Sequence, residues 1–271
     1  MIALYTDFGL KDEYVGLMKG VILSINPKAQ IVDITHYIYP QDVVLGAYIL
    51  KSSYKYCPKG TIHLAVVDPG VGSNRAIIAF EMNGHKFLAP DNGICTLLAM
   101  EHKFDSIVKV QNSKFFLDSI STTFHGRDIF APVAAHMSKG LKIKELGHEI
   151  DKKDITLLSI PYPTISKEGI LYGNIISIDH FGNLITNIDS YTLGNFCGSY
   201  AKNIEINLSE IKILGLSKNY QTVKKGFPLA IINSQGYLEI ALYCGNAQEY
   251  FNVKKDDILK VYTYEMDTFT S

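Results

Sequence analysis

Residues 2–27, IALYTDFGLKDEYVGLMKGVILSINP, decide how the fold is read. Ile2 to Thr6 is a short apolar run ending on an acid, Asp7. From Asp12 to Ile25 the apolar residues Tyr14, Val15, Met18, Ile22 and Ile25 recur at helical spacing, and Asn26-Pro27 stops the helix because proline has no N–H to continue it. A buried strand followed within a few residues by an amphipathic helix is the opening half of a βαβ unit. Outward from it the alternation continues, with a strand at Ile31–Ile34, a helix over Gln41–Tyr56, and strands at Thr61–Val67, Ala76–Glu81 and Lys86–Ala89. The turn Met82-Asn83-Gly84-His85 joins the last two strands as a hairpin, and helices are expected at Gly93–Glu101 and Ile129–Lys139. This pattern predicts an α/β domain with a mostly parallel central sheet covered by helices.

After Gly140 the character changes. Residues 141–167 are charged, hold Pro161 and Pro163, and show little periodicity; from Gly169 on, LYGNIISID, NLITNI, IEINL, LAIINS, YLEIAL and LKVYTYE are short strands separated by Gly, Asn and Asp. Such spacing predicts a smaller all-β, barrel-like domain, and the boundary is expected near Tyr162, giving domains 1–161 and 162–271.

Composition narrows the function classes. In 271 residues, 47% hydrophobic and 20% charged, the formal charge of −1 provides no global field to recruit nucleic acid. The four cysteines form no CxxC pair, which argues against a zinc knuckle or redox motif, and no apolar run reaches membrane-spanning length. The N-terminus meets an acid at Asp7 and lacks the pattern of a signal peptide, so a cytoplasmic protein without a membrane partner is expected.

Several segments carry candidate chemistry. VVDPGVGSNR, Val66 to Arg75, ends a strand on Asp68 and turns back through Pro-Gly-Val-Gly to Arg75, so that both side chains can face one pocket; the alternative is a hairpin with a capping acid and a surface arginine. Asp7 sits at a strand carboxyl end, where a carboxylate either accepts hydrogen bonds from a ribose diol or caps a turn. His125, in Phe124-His125-Gly126-Arg127-Asp128, reads as an acid, base or ligand near neutral pH, or as a structural turn residue. Asp7, Asp68, His125 and Asp128 together leave an oxygen-rich metal site as a rival, although no HxH, HExxH or carboxylate pair at ligand spacing exists. In the C-terminal half, Asp179 to Asn183, Asn233 to Gly236 and Gly245 to Ala247 lie at strand ends, either as ordinary β-turns or as a flat face with directed hydrogen bonds suited to an adenine or amino-acid ligand.

Nine segments in order resemble the S-adenosyl-L-methionine (SAM) hydroxide adenosyltransferases, the adenosine-forming SAM hydrolases related to fluorinase and chlorinase. They are TDFG at Thr6, YVGLMKG at Tyr14, ITH at Ile34, PQDVVLGA at Pro40, VVDPGVGSNR at Val66, APDNG at Ala89, TFHGRDIFAP at Thr123, DHFGNLITN at Asp179, and NSQGYLEIA with GNA from Asn233 to Ala247. The resemblance implies hydrolysis of SAM to adenosine and L-methionine without metal or organic cofactor, and a homotrimer with sites between the N-domain of one subunit and the C-domain of its neighbour. It implies that Asp68, Arg75 and His125 surround the attacking water. It also implies that Asp7 holds the ribose hydroxyls, with Asp12 near the methionine amino group, Asp179 and Ser234 on its amine and carboxylate, and Asn183 with the Asn246-Ala247 backbone on adenine beside Phe181 and Tyr220. The halogenating relatives lack the Asp-Arg-His trio and carry an extra N-domain loop, and no such insertion lies between Asp33 and Asp68. Gln235 stands where the fluorinase has Arg. A halide-dependent transferase and a non-catalytic SAM or adenosine sensor are the alternatives.

Overall fold

The computed structural model describes residues 1–198 and 203–264. Glu265, the end of the expected last strand, lies outside them. The chain divides into two compact units, Met1–Ser159 and Ile160–Ser271.

The first unit follows the order β1 (Ile2–Thr6), α1 (Tyr14–Ile25), β2 (Ile31–Thr35), α2 (Val43–Ser53), β3 (Ile62–Val66), β4 (Ile77–Met82), β5 (His85–Pro90), α3 (Thr96–Glu101), β6 (Ser106–Val110), α4 (Ala131–Ser138) and β7 (Gly147–Glu149). Its sheet has the strand order β2-β1-β3-β5-β4-β6-β7. The strands β2-β1-β3-β5 run parallel and the remaining pairings are antiparallel. All five residues of β1 and all five of β3 are buried, as strands covered on both faces must be. Period-two alternation assigns the faces: Ile2 and Leu4 pack with Met18 and Ile22 of α1 and Val133 of α4, while Ala3 and Tyr5 pack with Leu45 and Leu50 of α2 and Leu98 of α3. Helices thus cover both faces, and the α/β class read from the sequence holds.

Local signals account for the boundaries. Asp42 caps α2 by accepting from the Leu45 N–H at 2.9 Å, so the helix begins at Val43, and it tightens into a 3₁₀ turn over Tyr54–Tyr56. The β4–β5 hairpin turns through Asn83 and Gly84, both at positive φ as a two-residue type I′ turn demands. β6 escaped the sequence reading because Ser106 and Lys109 interrupt a run of only five residues, and β7 because it is three residues long.

The second unit contains β8 (Thr164–Ile165), β9 (Leu171–Ile178), β10 (Leu184–Asp189), α5 (Ser190–Cys197), β11 (Ile204–Leu208), β12 (Ile211–Leu214), β13 (Pro228–Ile232), β14 (Tyr237–Leu242), α6 (Ala247–Phe251) and β15 (Ile258–Thr263). Every pairing is antiparallel, in the order β12-β11-β15-β9-β10-β14-β13, with β8 added to β9. The two end strands approach each other, Ser217 N–H donating to the Ala230 carbonyl at 2.7 Å just beyond β12, so the sheet is nearly closed and barrel-like. Its interior is an aliphatic core that includes Leu171, Ile175, Leu184, Ile206, Leu238 and Val261. The short helices α5 and α6, unforeseen in the sequence, are started by side-chain caps: Asp189 accepts from Thr192 N–H at 2.7 Å and Asn246 from Glu249 N–H at 3.1 Å.

Candidate functional site

The order β2-β1-β3 makes the carboxyl ends of β1 and β3 a topological switch point, because the chain leaves β1 toward one neighbour and returns to the other. Thr6 pairs with Val66 across these strands, so Asp7 and Asp68 leave the sheet at the same edge. Asp7 accepts the Gln41 N–H at 2.8 Å. Burial pushes its carboxyl above the usual range, with Asp68 adding to the rise and the Gln41 N–H opposing it. Its turn is anchored to the ITH segment, Thr6 Oγ1 lying 2.8 Å from His36 Nδ1 and Gly9 N–H donating to the His36 carbonyl.

Beyond β3 the turn at Gly70 to Ser73 reverses the chain and brings Arg75 back onto Asp68. Arg75 Nε donates to Asp68 Oδ1 at 2.8 Å and Nη2 to Oδ2, a bidentate fork with both side chains largely buried, at 9% and 4% exposure. The same Nη2 lies 3.0 Å from His125 Nδ1. A guanidinium can only donate, so Nδ1 is the acceptor and the hydrogen of the neutral ring sits on Nε2. Burial holds the His125 imidazolium below its ordinary pKa, and the Arg75 charge lowers it further, against the opposing charges of Asp68 and Asp128. The guanidinium also lies 5.6 Å from the Phe130 ring centroid. The structure therefore unites the three residues singled out in the sequence.

Two features bring His125 across. Gly72, at φ +77, passes so close to the Thr122 carbonyl that an added Cβ would stand 2.2 Å from the oxygen. Gly72→Ala is accordingly expected to separate the two loops, lowering both the thermal midpoint and any turnover; thermal unfolding of the variant beside the wild type checks it. Asp128, fully buried, ties the loop that precedes it by accepting from Ser121 N–H at 2.8 Å, and it also accepts from Arg127 Nε at 2.6 Å. Burial alone would raise its carboxyl, yet these donors hold it below the usual range. His125 then stands at the entry to a π-helical turn, Gly126–Phe130, of the kind often found at functional sites.

A cavity of about 180 Å³ opens here, bordered by Asp68, His125, Val71 and the rings of Phe8, Tyr14 and Phe124, whose centroids lie 5.1–5.9 Å apart. Asp12 is exposed in the loop before α1, outside the lining of this cavity. Among the described residues, no three His, Cys, Asp or Glu side chains gather as metal ligands.

The second cluster lies in the C-terminal unit. Asp179 Oδ1 accepts the N–H groups of Phe181 and Asn183, each at 2.9 Å, and Oδ2 accepts Asn183 Nδ2 at 3.0 Å, so the carboxylate fixes its own turn while remaining on a cavity wall. Two cavities, of about 630 and 380 Å³, share Asp179 and Tyr220 as walls. Phe181, 73% exposed, and Asn183 line the larger, and Ser234 and Gln235 line the smaller. Asn246 is placed differently from the rest: its side chain caps α6 and packs on Gly182, where a Cβ would meet Asn246 Oδ1 at 2.1 Å. Ala247 is fully buried.

One acid escaped the sequence reading. Glu239, in the middle of β14 and 4% exposed, accepts the Tyr220 hydroxyl at 2.8 Å and lines the smaller cavity. Burial pushes its carboxyl up, Tyr220 and Asn233 oppose the rise, and Asp179 adds to it. Burial and Glu239 in turn push the Tyr220 hydroxyl up to about 12. An acid within the otherwise apolar strand YLEIAL was the available signal. Tyr220→Phe leaves Glu239 buried without its phenol donor, and a loss of about 1–3 kcal/mol in urea unfolding is expected.

Among the described residues no helix is long and apolar enough to cross a membrane. Residues 2–147 match the model of the SAM hydroxide adenosyltransferase N-terminal domain and residues 173–260 that of the C-terminal domain. The chain is 36% identical to an (R)-S-adenosyl-L-methionine hydrolase of Methanocaldococcus jannaschii, covering 96% of this chain and 95% of the relative. It is also 28% identical to a fluorinase of an Actinoplanes species, covering 94% of each. The crystal structure of an uncharacterized conserved protein from Thermotoga maritima superposes with a TM-score of 0.89 at 35% identity, over 96% of this chain and 99% of that one. With both domain models matched and the Asp68–Arg75–His125 cluster assembled at the switch point, this chain belongs to the SAM hydroxide adenosyltransferase family.

Proposed function

We propose that the chain hydrolyses SAM to adenosine and L-methionine by attack of water on the ribose C5′ carbon. The observation that carries this reading is the Arg75 fork on Asp68 with its further contact to His125, on and beside the wall of an aromatic cavity. The relatives named (R)-S-adenosyl-L-methionine hydrolase, at 30–36% identity, support it.

A sulfonium leaves as a neutral thioether, so the chemistry asks for no general acid, metal or organic cofactor. What it asks for is an aligned, activated water, because water with a pKa of about 16 is scarcely ionised at neutral pH. Asp68 retains lone pairs beside the Arg75 fork and accepts the water's proton as the C–O bond forms. His125, with Nδ1 taken by Arg75, serves through Nε2–H as a donor that orients the water oxygen, rather than as the base. Arg75 holds the Asp68 carboxylate in place through its two-point fork.

In this proposal Asp7 holds the ribose hydroxyls and Asp12 lies near the amino group. Asp179 and Ser234 take the amino-acid end, while Asn183 and the Asn246-Ala247 backbone take the adenine between the faces of Phe181 and Tyr220. The homotrimer implied by the resemblance belongs to the same reading and is checked by sedimentation equilibrium.

Incubation with SAM and chromatography of the products is the test. Adenosine and methionine are expected in equal amounts, and absence of adenosine at saturating enzyme sinks the proposal. The fluorinase relatives give a second reading its basis, and a 5′-halo-5′-deoxyadenosine peak on adding chloride or fluoride would favour it.

A further inference from the structure

The smaller cavity of the C-terminal unit has an unusual charge balance. Its wall holds two carboxylates, Asp179 and Glu239, and none of its described lining residues is Lys, Arg or His. None of the described residues lining the larger cavity, which shares Asp179 and Tyr220, is basic either. Asp179 is locked in place by three N–H donors of its own turn, and Glu239 is buried against the Tyr220 hydroxyl, so neither acid can swing away from an incoming group. The remaining polar lining groups, Asn233, Ser234 and Gln235, are neutral. An ammonium entering this lobe meets two opposite charges. A carboxylate entering it meets two like charges and only neutral donors.

We propose that this lobe recognises the substrate's ammonium and is indifferent to its carboxylate, so that an adenosyl sulfonium with a bare 3-aminopropyl chain, decarboxylated SAM, is a second substrate. The proposal rests on the reading that this lobe receives the amino-acid end of SAM. In the reaction the water oxygen bonds to C5′, and the C5′–S bond breaks with its electron pair going to sulfur. One water proton is released, and the products are adenosine and 3-(methylthio)propylamine in its ammonium form. The missing carboxylate forfeits a hydrogen bond from a neutral donor such as Ser234, and its removal relieves repulsion from Asp179 and Glu239. The two substrates are therefore matched in affinity.

The test is an internal competition between SAM and decarboxylated SAM on the full chain, with methionine and 3-(methylthio)propylamine quantified separately. The kcat/KM values are expected to agree within tenfold. Gln235→Arg, a change at an exposed position that places a cation beside the lobe, is expected to shift the ratio at least tenfold toward SAM. A wild-type preference for SAM above tenfold, or a smaller shift in the variant, overturns the proposal. If neither compound yields adenosine the hydrolytic reading fails, and calorimetric titration of the same protein with both ligands decides the lobe's preference by the same tenfold criterion in Kd.

Discussion

Arg75→Ala is expected to lower adenosine release by about 10²–10³-fold while changing the affinity for SAM only a few-fold. The guanidinium contributes nearly all of its contacts to the proposed water-handling groups: both Asp68 oxygens and His125 Nδ1. Removing it leaves Asp68, 4% exposed, as a buried charge without its partner, and the same variant is expected to lose about 3–5 kcal/mol of stability. Turnover at saturating SAM and a urea unfolding curve separate the two effects. Arg75→Lys keeps the charge but not the planar fork, so an ammonium can serve one carboxylate oxygen or the imidazole, not all three acceptors. Most of the loss should persist in that variant; full recovery would reduce the role of Arg75 to charge alone. A raised KM with unchanged kcat would instead move Arg75 to substrate binding.

Lowering the pH from 7 to 4 is expected to destabilise the protein by a few kcal/mol, with His63 the largest single contributor. His63 is fully buried in β3 and linked on both sides: Ser53 donates to the Tyr5 hydroxyl, Tyr5 OH lies 2.9 Å from His63 Nδ1, and His63 Nε2 lies 3.1 Å from His85 Nδ1. Donors running one way from Ser53 through Tyr5 and His63 to His85 satisfy the chain with both rings neutral. Burial, reinforced by the neighbouring His85, lowers the His63 pKa to about 3, against an ordinary value of 6.5. Between those values the unfolded chain binds a proton that the folded protein refuses, so stability is lost as the pH falls through that window. His85, His125 and His136, also lowered chiefly by burial, act in the same direction. Asp7 and Glu239, raised by burial, act in the opposite one. Urea midpoints across the pH range give the slope. His63→Phe, which keeps a ring beside Phe87, is expected to flatten it even if its stability at pH 7 is lower. An unchanged slope in the variant rules out His63 as the source.

These two expectations differ in how much of them the sequence foretold. The strand and helix of residues 2–27 were legible because short-range spacing carries them: five apolar residues for β1, and Val15, Met18 and Ile22 for the buried face of α1. Asp68, Arg75 and His125 were legible as candidates because their segments break an apolar run with acid, glycine and base at strand and helix ends. Nothing in the strand Thr61–Val67 marks His63 out, since its partners Tyr5 and His85 lie 58 and 22 positions away. Glu239 was hidden for the same reason, as its phenol partner lies 19 residues upstream in a short 3₁₀ turn, Tyr220–Thr222.

Periodicity, turn residues and ordered motifs, all readable along one line of chain, were thus enough to establish two kinds of domain, most of their elements and the family. Hydrogen-bond direction, burial and charge balance depend on which distant atoms are brought within about 3 Å, and only folding sets that distance. It makes His125 Nδ1 an acceptor, engages Asn246 as a helix cap, and places Glu239 beside Asp179 in a lobe with no cation among its described lining residues. Composition lists the charges, whereas the tertiary structure determines which of them face one another.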